Sequence, residues 1–279
     1  GFRAYPLAQA NKPPKQKVYD FSGKKFNTIH ANDEHFYEEL NAVIQYEPAD
    51  AFNPELVGLF ASIGIKKGEP FAPDARMQKI LKDAAAIGNA SARSLVFRPR
   101  DPAVYFYPDR RWYTSFAGGH DFMDKGEMKI DGRSIFHYVA TGITPAMSMP
   151  AVGTGSAYAF TPHDADGNYL DGGKTYKVTL PAPIPVNNFW SFMVYSGQHR
   201  SMLETDQKSA GLDSNSPTIK QNDDESYTVW FGPKAPKGHE DNWIQTMPGK
   251  SYNVLLRLYG PLEPWFDKTW KPGDFELVE

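Results

Sequence analysis

The chain has 279 residues and a mass of 31.3 kDa, a length that suggests about two domains. Apolar residues make up 41% and charged residues 23%, which is ordinary globular usage and excludes disordered and collagen-like classes. The net charge of −3, without a basic block, argues against a dedicated nucleic-acid-binding protein. The sequence contains no run of about 20 apolar residues that would predict a membrane-spanning helix.

Cysteine is absent, which excludes disulfides, thiolate nucleophiles and cysteine-ligated metal sites and leaves the cellular compartment open. The 15 Tyr, 18 Phe and 6 Trp residues, punctuated by 23 Gly and 23 Pro, favour β-rich layers over a helical bundle. The chain begins at Gly1 without a signal-peptide pattern, so we expect a processed product or a truncated sequence.

The N-terminal third predicts three helices, preceded by a short strand at residues 26–30. The first follows Asn32, a good N-cap residue, and the second begins at Asn53-Pro54. The third opens at Pro73 and continues to about Ser94. We interpret this stretch as a helical subdomain or as a cover over a sheet.

Signals between residues 95 and 150 are mixed. The segment Ala103–Tyr107 predicts a strand, and Asp131 predicts the cap of a short helix. Gly118-Gly119 and the run Thr144–Pro150 predict loops. Long ordered loops of this kind often carry function.

After Ala151 the chain predicts a series of strands. The first two flank a turn-rich connection at residues 164–168, which predicts a hairpin. The predicted fold class is α+β, with a helical or mixed region at 1–150 and an antiparallel β-sandwich or jelly roll at 151–279. The predicted strands are Ala157–Thr161, Lys174–Leu180, Phe189–Tyr195, Ser226–Phe231 and Ser251–Tyr259.

Several phrases of this C-terminal half occur together and in order: Asn168–Tyr176, Pro185–Ser191, Asn242-Trp243, Leu256–Pro261 and Thr269–Pro272. With these phrases the chain resembles the bacterial domain family of unknown function numbered 1214. The region before it resembles the end of the companion family numbered 1254, whose longer N-terminal segment is absent here. The resemblance implies β-sandwich-like modules with helices and an exported, periplasmic or secreted protein; it implies no settled activity.

Strand alternation singles out Arg257. On the last predicted strand it shares a face with Leu255 and Tyr259, in an apolar setting where an unpaired charge is costly. Such a guanidinium requires an anionic ligand, such as a carboxylate or phosphate, or a structural carboxylate on a neighbouring strand. Both interpretations stay open.

The aromatic strand supplies further candidates for substrate binding, namely Trp190 and Tyr195, and Tyr259 on the last predicted strand is another. Their rings could stack on a sugar or aromatic ligand, or they could simply form the sandwich core. Arg200 follows this strand in a loop, from which a side chain can reach the mouth of a site or remain in solvent.

His120 and Asp121 are the candidates for acid–base catalysis. They follow two glycines, so a flexible loop could present the imidazole as a general base and the carboxylate beside it. Adjacent residues point in different directions, however, which weighs against a direct partnership. The acids Glu204 and Asp206 lie near the aromatic strand, where we expect them to face solvent.

Other site chemistries lack their motifs. The segment His163–Gly167 resembles the start of a calcium loop, but its glycine comes at position 4 and Thr175 occupies position 12, so a hairpin turn is simpler. Gly153–Ser156 completes neither a nucleophile elbow nor a dinucleotide fingerprint. No histidine pair has helical metal-site spacing, and neither a metal nor a cofactor is predicted.

Three functions fit the sequence. The favoured hypothesis is an exported, cofactor-independent enzyme, such as a hydrolase, that acts on a small carbonyl, ester or glycosidic substrate in an enclosed pocket. The alternatives are a non-catalytic sandwich that binds carbohydrate or another envelope component, and a structural assembly module. The expected partners are a small-molecule or carbohydrate ligand, the missing N-terminal segment of the precursor and further copies of the chain.

Overall fold

The computed structural model describes residues 4–17, 19–20, 22–24, 31–140 and 142–278, so the strand predicted at 26–30 lies outside the described residues. The helices are α1 (Phe36–Tyr46), α2 (Pro54–Ser62), α3 (Ala75–Phe97), α4 (Ile130–Val139), α5 (Pro145–Ser148) and α6 (Glu263–Phe266). Short 3-10 helices occupy Leu7–Gln9, Pro102–Val104 and Glu240–Asn242. The strands are β1 (Met123–Asp124), β2 (Glu127–Met128), β3 (Ser156–Thr161), β4 (Tyr176–Leu180), β5 (Val186–Ser196), β6 (Gly211–Asp213), β7 (Tyr227–Gly232), β8 (Trp243–Gln245), β9 (Tyr252–Pro261) and β10 (Glu276–Leu277).

The strands of the C-terminal half form two four-stranded sheets. The first sheet has the order β3-β9-β5-β6 and is antiparallel throughout. The second has the order β10-β4-β7-β8, in which only β7 and β8 run parallel. The predicted α+β class with antiparallel sheets is confirmed, whereas a jelly roll is not, because both sheets stay open across the described residues.

One hydrophobic core lies between the two sheets. Phe192 on β5 meets Phe231 on β7 with ring centroids 5.6 Å apart, and Trp190 meets Tyr227 at 5.2 Å. Strand β9 contributes one complete face to this core, and its members are Tyr252, Val254, Leu256 and Leu258. The predicted alternation of β9 is therefore confirmed, and Arg257 lies on its opposite face.

The hairpin predicted across residues 164–168 is present only locally, where His163 and Tyr169 pair antiparallel on either side of the turn. It does not join the two flanking strands, because β3 pairs with β9 in the first sheet and β4 pairs with β7 in the second. The connection therefore crosses from one sheet to the other, and Ala165 at the turn donates its N–H to the carbonyl of Phe275. A turn signal cannot distinguish these outcomes, because it specifies a chain reversal and not a strand partner.

The predicted N-caps of α1 and α2 have different outcomes in the structure. The predicted start of α2 is confirmed, since the Asn53 side chain accepts the N–H of Glu55 at 2.9 Å and Pro54 is the first helical residue. The predicted Asn32 cap is wrong, because α1 begins four residues later. The backbone N–H groups at its start donate to Asp33, one to its carbonyl and one to its carboxylate. The Asn32 side chain instead bonds to Arg200.

The strand predicted at 103–107 is also wrong. This segment begins with the 3-10 helix Pro102–Val104, because the Asp101 side chain accepts the N–H of Ala103 and proline occupies the first helical position. Asp131, predicted as a cap, instead lies in the first turn of α4. There its negative charge interacts favourably with the positive N-terminal end of the helix dipole.

The end of α3, helix α4 and the loop around Tyr113 cover the outer face of the first sheet and form its helical cover. Tyr113 fixes this contact: its backbone exchanges two hydrogen bonds with Phe160 on β3, at 3.0 and 2.9 Å. Its hydroxyl donates to the Val96 carbonyl at the end of α3, which satisfies one of the carbonyls a helix end leaves free. A second core results, containing Val96, Val104, Tyr113, Ile135, Tyr138 and Phe160.

No helix in the described part of the chain combines the length and the apolar character that crossing a membrane requires.

His163 makes the fold sensitive to acid. Its ring is 6% exposed and stacks on Tyr169, and burial, aided by Arg111 and Arg98, lowers its pKa to about 4. The unfolded chain takes up this proton near pH 6.5 whereas the folded chain does not, so the contribution is complete above pH 6.5 and is lost as the pH falls towards 4.

We therefore expect His163→Phe, which keeps a ring against Tyr169, to gain stability relative to wild type by up to about 3 kcal/mol between pH 7 and pH 4.5. Urea unfolding across this pH range measures the difference. His199→Phe, at an exposed histidine, is the control and should follow the wild-type profile. A difference between His163→Phe and wild type that does not change with pH would contradict this assignment.

Candidate functional site

A cavity of about 220 Å³ lies between the outer face of the first sheet and its helical cover. Its floor comes from β3, β5 and β9, and its walls come from the end of α3, from α4 and from the loop around residue 115. The lining side chains are Val96, Phe97, Ser115, Phe116, Phe136, Tyr138, Val139, Ala140, Met147, Tyr158, Phe160, Tyr195, Arg200, Asn253, Leu255 and Arg257. The second core closes the base of this space.

Arg257 is the most unusual group in the lining. It sits in the centre of the sheet, opposite Tyr158 on β3 and Ser191 on β5. Within the described residues no carboxylate reaches ion-pair distance of its guanidinium, and the Nε atom is buried without a hydrogen-bond partner. The structural ion pair that the sequence left open is therefore not formed by any described acid.

Aromatic rings hold the guanidinium in place. Its central carbon lies 5.4 Å from the centre of the Tyr158 ring and 5.0 Å from that of Tyr259. Tyr259 is in turn stacked on Phe189, with centroids 4.0 Å apart and planes inclined by 16°. Cation–π attraction offsets part of the desolvation cost of the charge but supplies no hydrogen-bond acceptors. Arg257 is thus oriented and still able to donate hydrogen bonds.

Ser191 adds a second unsatisfied polar group beside Arg257. The residue is 6% exposed, and its hydroxyl oxygen has no hydrogen-bond partner. Two neighbouring residues of one sheet row therefore carry buried polar atoms without partners, whereas most buried polar atoms in folded proteins have one. Such a concentration is characteristic of a site whose polar groups are arranged for a ligand.

Tyr195 and Asn253 face each other across β5 and β9 and extend the polar floor of the cavity. Burial raises the pKa of the Tyr195 phenol, and the nearby Arg257 charge offsets only part of that rise. The phenol is therefore neutral near pH 7 and can donate a hydrogen bond or a proton to a bound group.

Arg200 lies at the edge of the cavity, in the loop position from which the sequence predicted that it could reach a site. Its Nη2 donates to Asn32 Oδ1 at 2.8 Å, and its guanidinium lies 5.0 Å from the centre of the Tyr138 ring. Its backbone has a φ of 64°, in the left-handed region. Arg93 of α3 holds the same loop by donating to the Gly197 carbonyl at 2.9 Å.

Trp190 does not line the cavity. It is 2% exposed, points between the two sheets and contacts Phe192 and Tyr227. Strand alternation places it on the face opposite Tyr195, so one strand cannot present both rings to one ligand. The structure therefore places Trp190 in the inter-sheet core, which is the alternative interpretation considered for it.

His120 and Asp121 also lie outside the cavity lining. They occupy a turn after Phe116, and the Asp121 carboxylate accepts the N–H of Met123 at 3.2 Å. Of the acids near the aromatic strand, Glu204 is exposed, and the Asp206 Oδ2 atom accepts a hydrogen bond from Gln245 Nε2 at 3.0 Å. Among the described lining residues there is neither a histidine nor a carboxylate.

The described part of the chain contains no cluster of three or more His, Cys, Asp or Glu side chains that could hold a metal ion. The calcium-like segment forms a turn, in which the Asp164 carboxylate accepts the N–H of Asn168 at 2.8 Å. This supports the turn interpretation of that motif.

Several lining residues were not singled out from the sequence. Alternation along the predicted strand 157–161 puts Tyr158 on one face of that strand. Once this strand and the Arg257 strand are known to be neighbours, Tyr158 can be placed on the same face of the sheet as Arg257. Ser115, Phe116 and Tyr138 carry no such signal, because their approach to the sheet depends on how the helical cover docks.

Residues 155–263 match the family model described as "Protein of unknown function (DUF1214)", which confirms the resemblance of the C-terminal region. Among curated proteins none matches the chain.

Two solved structures are similar to the chain. The VPA0106 protein from Vibrio parahaemolyticus is 20% identical with a TM-score of 0.43, and the match covers 96% of this chain and 59% of that one. A putative uncharacterized protein from Burkholderia cenocepacia is 16% identical with a TM-score of 0.31, over 70% of this chain and 49% of that one. The chain therefore spans between half and three-fifths of the length of these neighbours.

The placement of Trp190 predicts a structural role. Trp190→Ala should lower the free energy of unfolding by about 3–5 kcal/mol, because it leaves a cavity between the sheets. Trp190→Phe should cost less, since it retains a ring there. Chemical denaturation of both variants measures the effect, and a stability change below about 1 kcal/mol for Trp190→Ala would contradict this placement.

Proposed function

We propose that the cavity beneath the helical cover binds a small organic anion and that Arg257 anchors its charged group. The observation that carries the proposal is a half-buried guanidinium on the cavity wall, whose buried Nε has no hydrogen-bond partner and whose charge no described carboxylate compensates. Leaving such a charge unpaired is costly, and a bound anion removes the cost by forming charge-assisted hydrogen bonds. Enclosed cavities with a mainly apolar lining and few polar groups are typical of small-molecule sites.

The geometry favours this function over the two alternatives. A carbohydrate platform would present exposed rings, but Trp190 is in the core and Tyr259 is covered by Phe189 and Arg257. An assembly module gives no reason for a polar, uncompensated group inside an enclosed space. The cavity is also built from two parts of the chain, the helical cover and the sheet, as many ligand sites are.

The test compares Arg257→Met with wild type in ligand binding. Native mass spectrometry of the purified protein, followed by calorimetry with the acids it identifies and with a panel of organic anions, should show binding to wild type. Arg257→Met should weaken that binding at least tenfold, while changing stability by less than about 1 kcal/mol because no ion pair is broken. Arg257→Lys should be intermediate, since lysine supplies the charge without the planar fork.

Arg76→Met is the matched control. Arg76 is exposed near the start of α3, about 30 Å along the helix from the cavity residues at its end. Equal binding by wild type and Arg257→Met, or no binding of any organic anion by wild type, would overturn the proposal.

A second candidate is the cofactor-independent enzyme predicted from the sequence, acting on a carbonyl or ester group of the bound anion. Tyr195 favours it, because a neutral buried phenol close to Arg257 can donate a proton to an oxygen that gains charge. His120 and Asp121, the acid–base pair predicted earlier, have no position in this scheme.

Once a substrate is identified, Tyr195→Phe should lower kcat at least 100-fold with little change in KM, whereas His120→Ala should leave both unchanged. Steady-state kinetics measures both variants. A loss of activity in His120→Ala with an unaffected Tyr195→Phe would restore the original assignment and reject Tyr195.

Three further features remain proposals. Export to the periplasm or beyond, kinship of the N-terminal region to the family numbered 1254, and a jelly-roll form of the sandwich all follow from the resemblance alone. Binding of an organic anion is compatible with each of them.

A further inference from the structure

We infer that the ligand is a compact monocarboxylate with an apolar body, held with its carboxylate at Arg257 and its body against the helical cover. The inference rests on the proposed function and names the ligand class for the same cavity. It follows from the shape of the donor, the composition of the walls and the size of the space.

The donor geometry fits a carboxylate. The Nε atom of Arg257 is buried, and the rings of Tyr158 and Tyr259 lie over the guanidinium. The two terminal Nη groups are therefore the donors that a ligand can reach. Two parallel N–H groups match the two oxygens of one carboxylate. A phosphate, with more charge and more oxygens, is usually bound where several cations or backbone N–H groups converge. Here the neighbours of the Arg257 guanidinium are aromatic rings, and the second cation of the lining, Arg200, already donates to Asn32.

The walls fit an apolar body. Leu255 precedes Arg257 on the same face of β9, and the helical cover lies above it. The lining residues that the helices supply are apolar apart from the hydroxyl of Tyr138. A ligand body with many hydroxyls on that side would therefore lose more hydrogen bonds to water than it regained. The apolar members of the lining are Val96, Phe97, Phe116, Phe136, Val139, Ala140, Met147, Phe160 and Leu255.

The cavity volume limits the size of that body. An apolar cavity of about 150 Å³ is sufficient for benzene, and this cavity is about 220 Å³. A ligand of about nine to twelve non-hydrogen atoms therefore fills it at ordinary packing density. Benzoate and phenylacetate meet this limit, whereas acetate leaves most of the wall uncovered.

The experiment is calorimetry with five probes: benzoate, phenylacetate, acetate, benzamide and inorganic phosphate. Wild type should bind benzoate or phenylacetate at least tenfold more tightly than acetate or phosphate, because only these satisfy both the donor and the wall. Benzamide has the same shape without the charge and should bind at least tenfold more weakly than benzoate.

Two cavity-filling variants test the contribution of the apolar wall to binding, separately from the contribution of Arg257. Val139→Phe narrows the wall at the end of α4, and Met147→Trp does so from α5, outside any strand, so misfolding of one variant leaves the other usable. Each should weaken benzoate binding at least tenfold. Arg257→Met should abolish binding of the carboxylates while circular dichroism shows the fold intact.

The outcomes separate the two proposals. Arg257-dependent binding of phosphate or acetate as tight as that of benzoate would overturn the ligand class while leaving the anion site in place. Benzamide binding equal to benzoate binding would overturn both proposals, because the charge of the ligand would then be irrelevant. Absence of any Arg257-dependent anion binding would overturn both.

Discussion

The fold depends on strand β9, whose two faces contribute to different layers: one face is buried, and the other is half-buried. One face, with Leu256 and Leu258 at its centre, closes the core between the two sheets. The other face lies under the helices, where Arg257 interrupts an apolar surface. Because side chains alternate strictly along a strand, the two faces cannot exchange residues without a shift of register that would expose the core. The position of Arg257 beneath the cover is therefore as firmly determined as the core itself.

Arg257 is one of the described residues with a buried polar atom that has no hydrogen-bond partner, and it is the one among them that carries a charge on the cavity floor beside Ser191. Folded proteins pair their buried charges, and the rings of Tyr158 and Tyr259 compensate this charge only in part. Ser191 beside it repeats the pattern with an unpartnered hydroxyl. Proteins tolerate local departures of this kind mainly at functional sites, where stability is exchanged for a group that is ready to bind. This is the physical basis for assigning the cavity to an anion.

The site does not coincide with the region that matches the family model. Residues 155–263 supply the floor, including Tyr195, Asn253 and Arg257. The aromatic wall comes from earlier residues such as Phe97 and Phe136. A matched domain without this cover would expose its guanidinium to water, where a salt-screened charge binds small anions weakly. The proposed ligand site therefore depends on both parts of the chain together.

The sequence by itself determined the elements and their faces. Regular alternation identified β9 and β5, and the Asn53-Pro54 pair identified the start of α2, because these signals are local and act within a few residues. Arg257 could be singled out for the same reason, as a charge in an apolar alternation. Only the tertiary structure decided which strands are neighbours, and hence that β3 joins β9 instead of pairing with β4. It also decided that Asn32 accepts a hydrogen bond from Arg200. Alternation alone puts Trp190 and Tyr195, five residues apart, on opposite faces of β5, but only the tertiary structure decided which face enters the core. These outcomes depend on contacts between residues distant in the chain, which compete with local preferences and which no short pattern encodes.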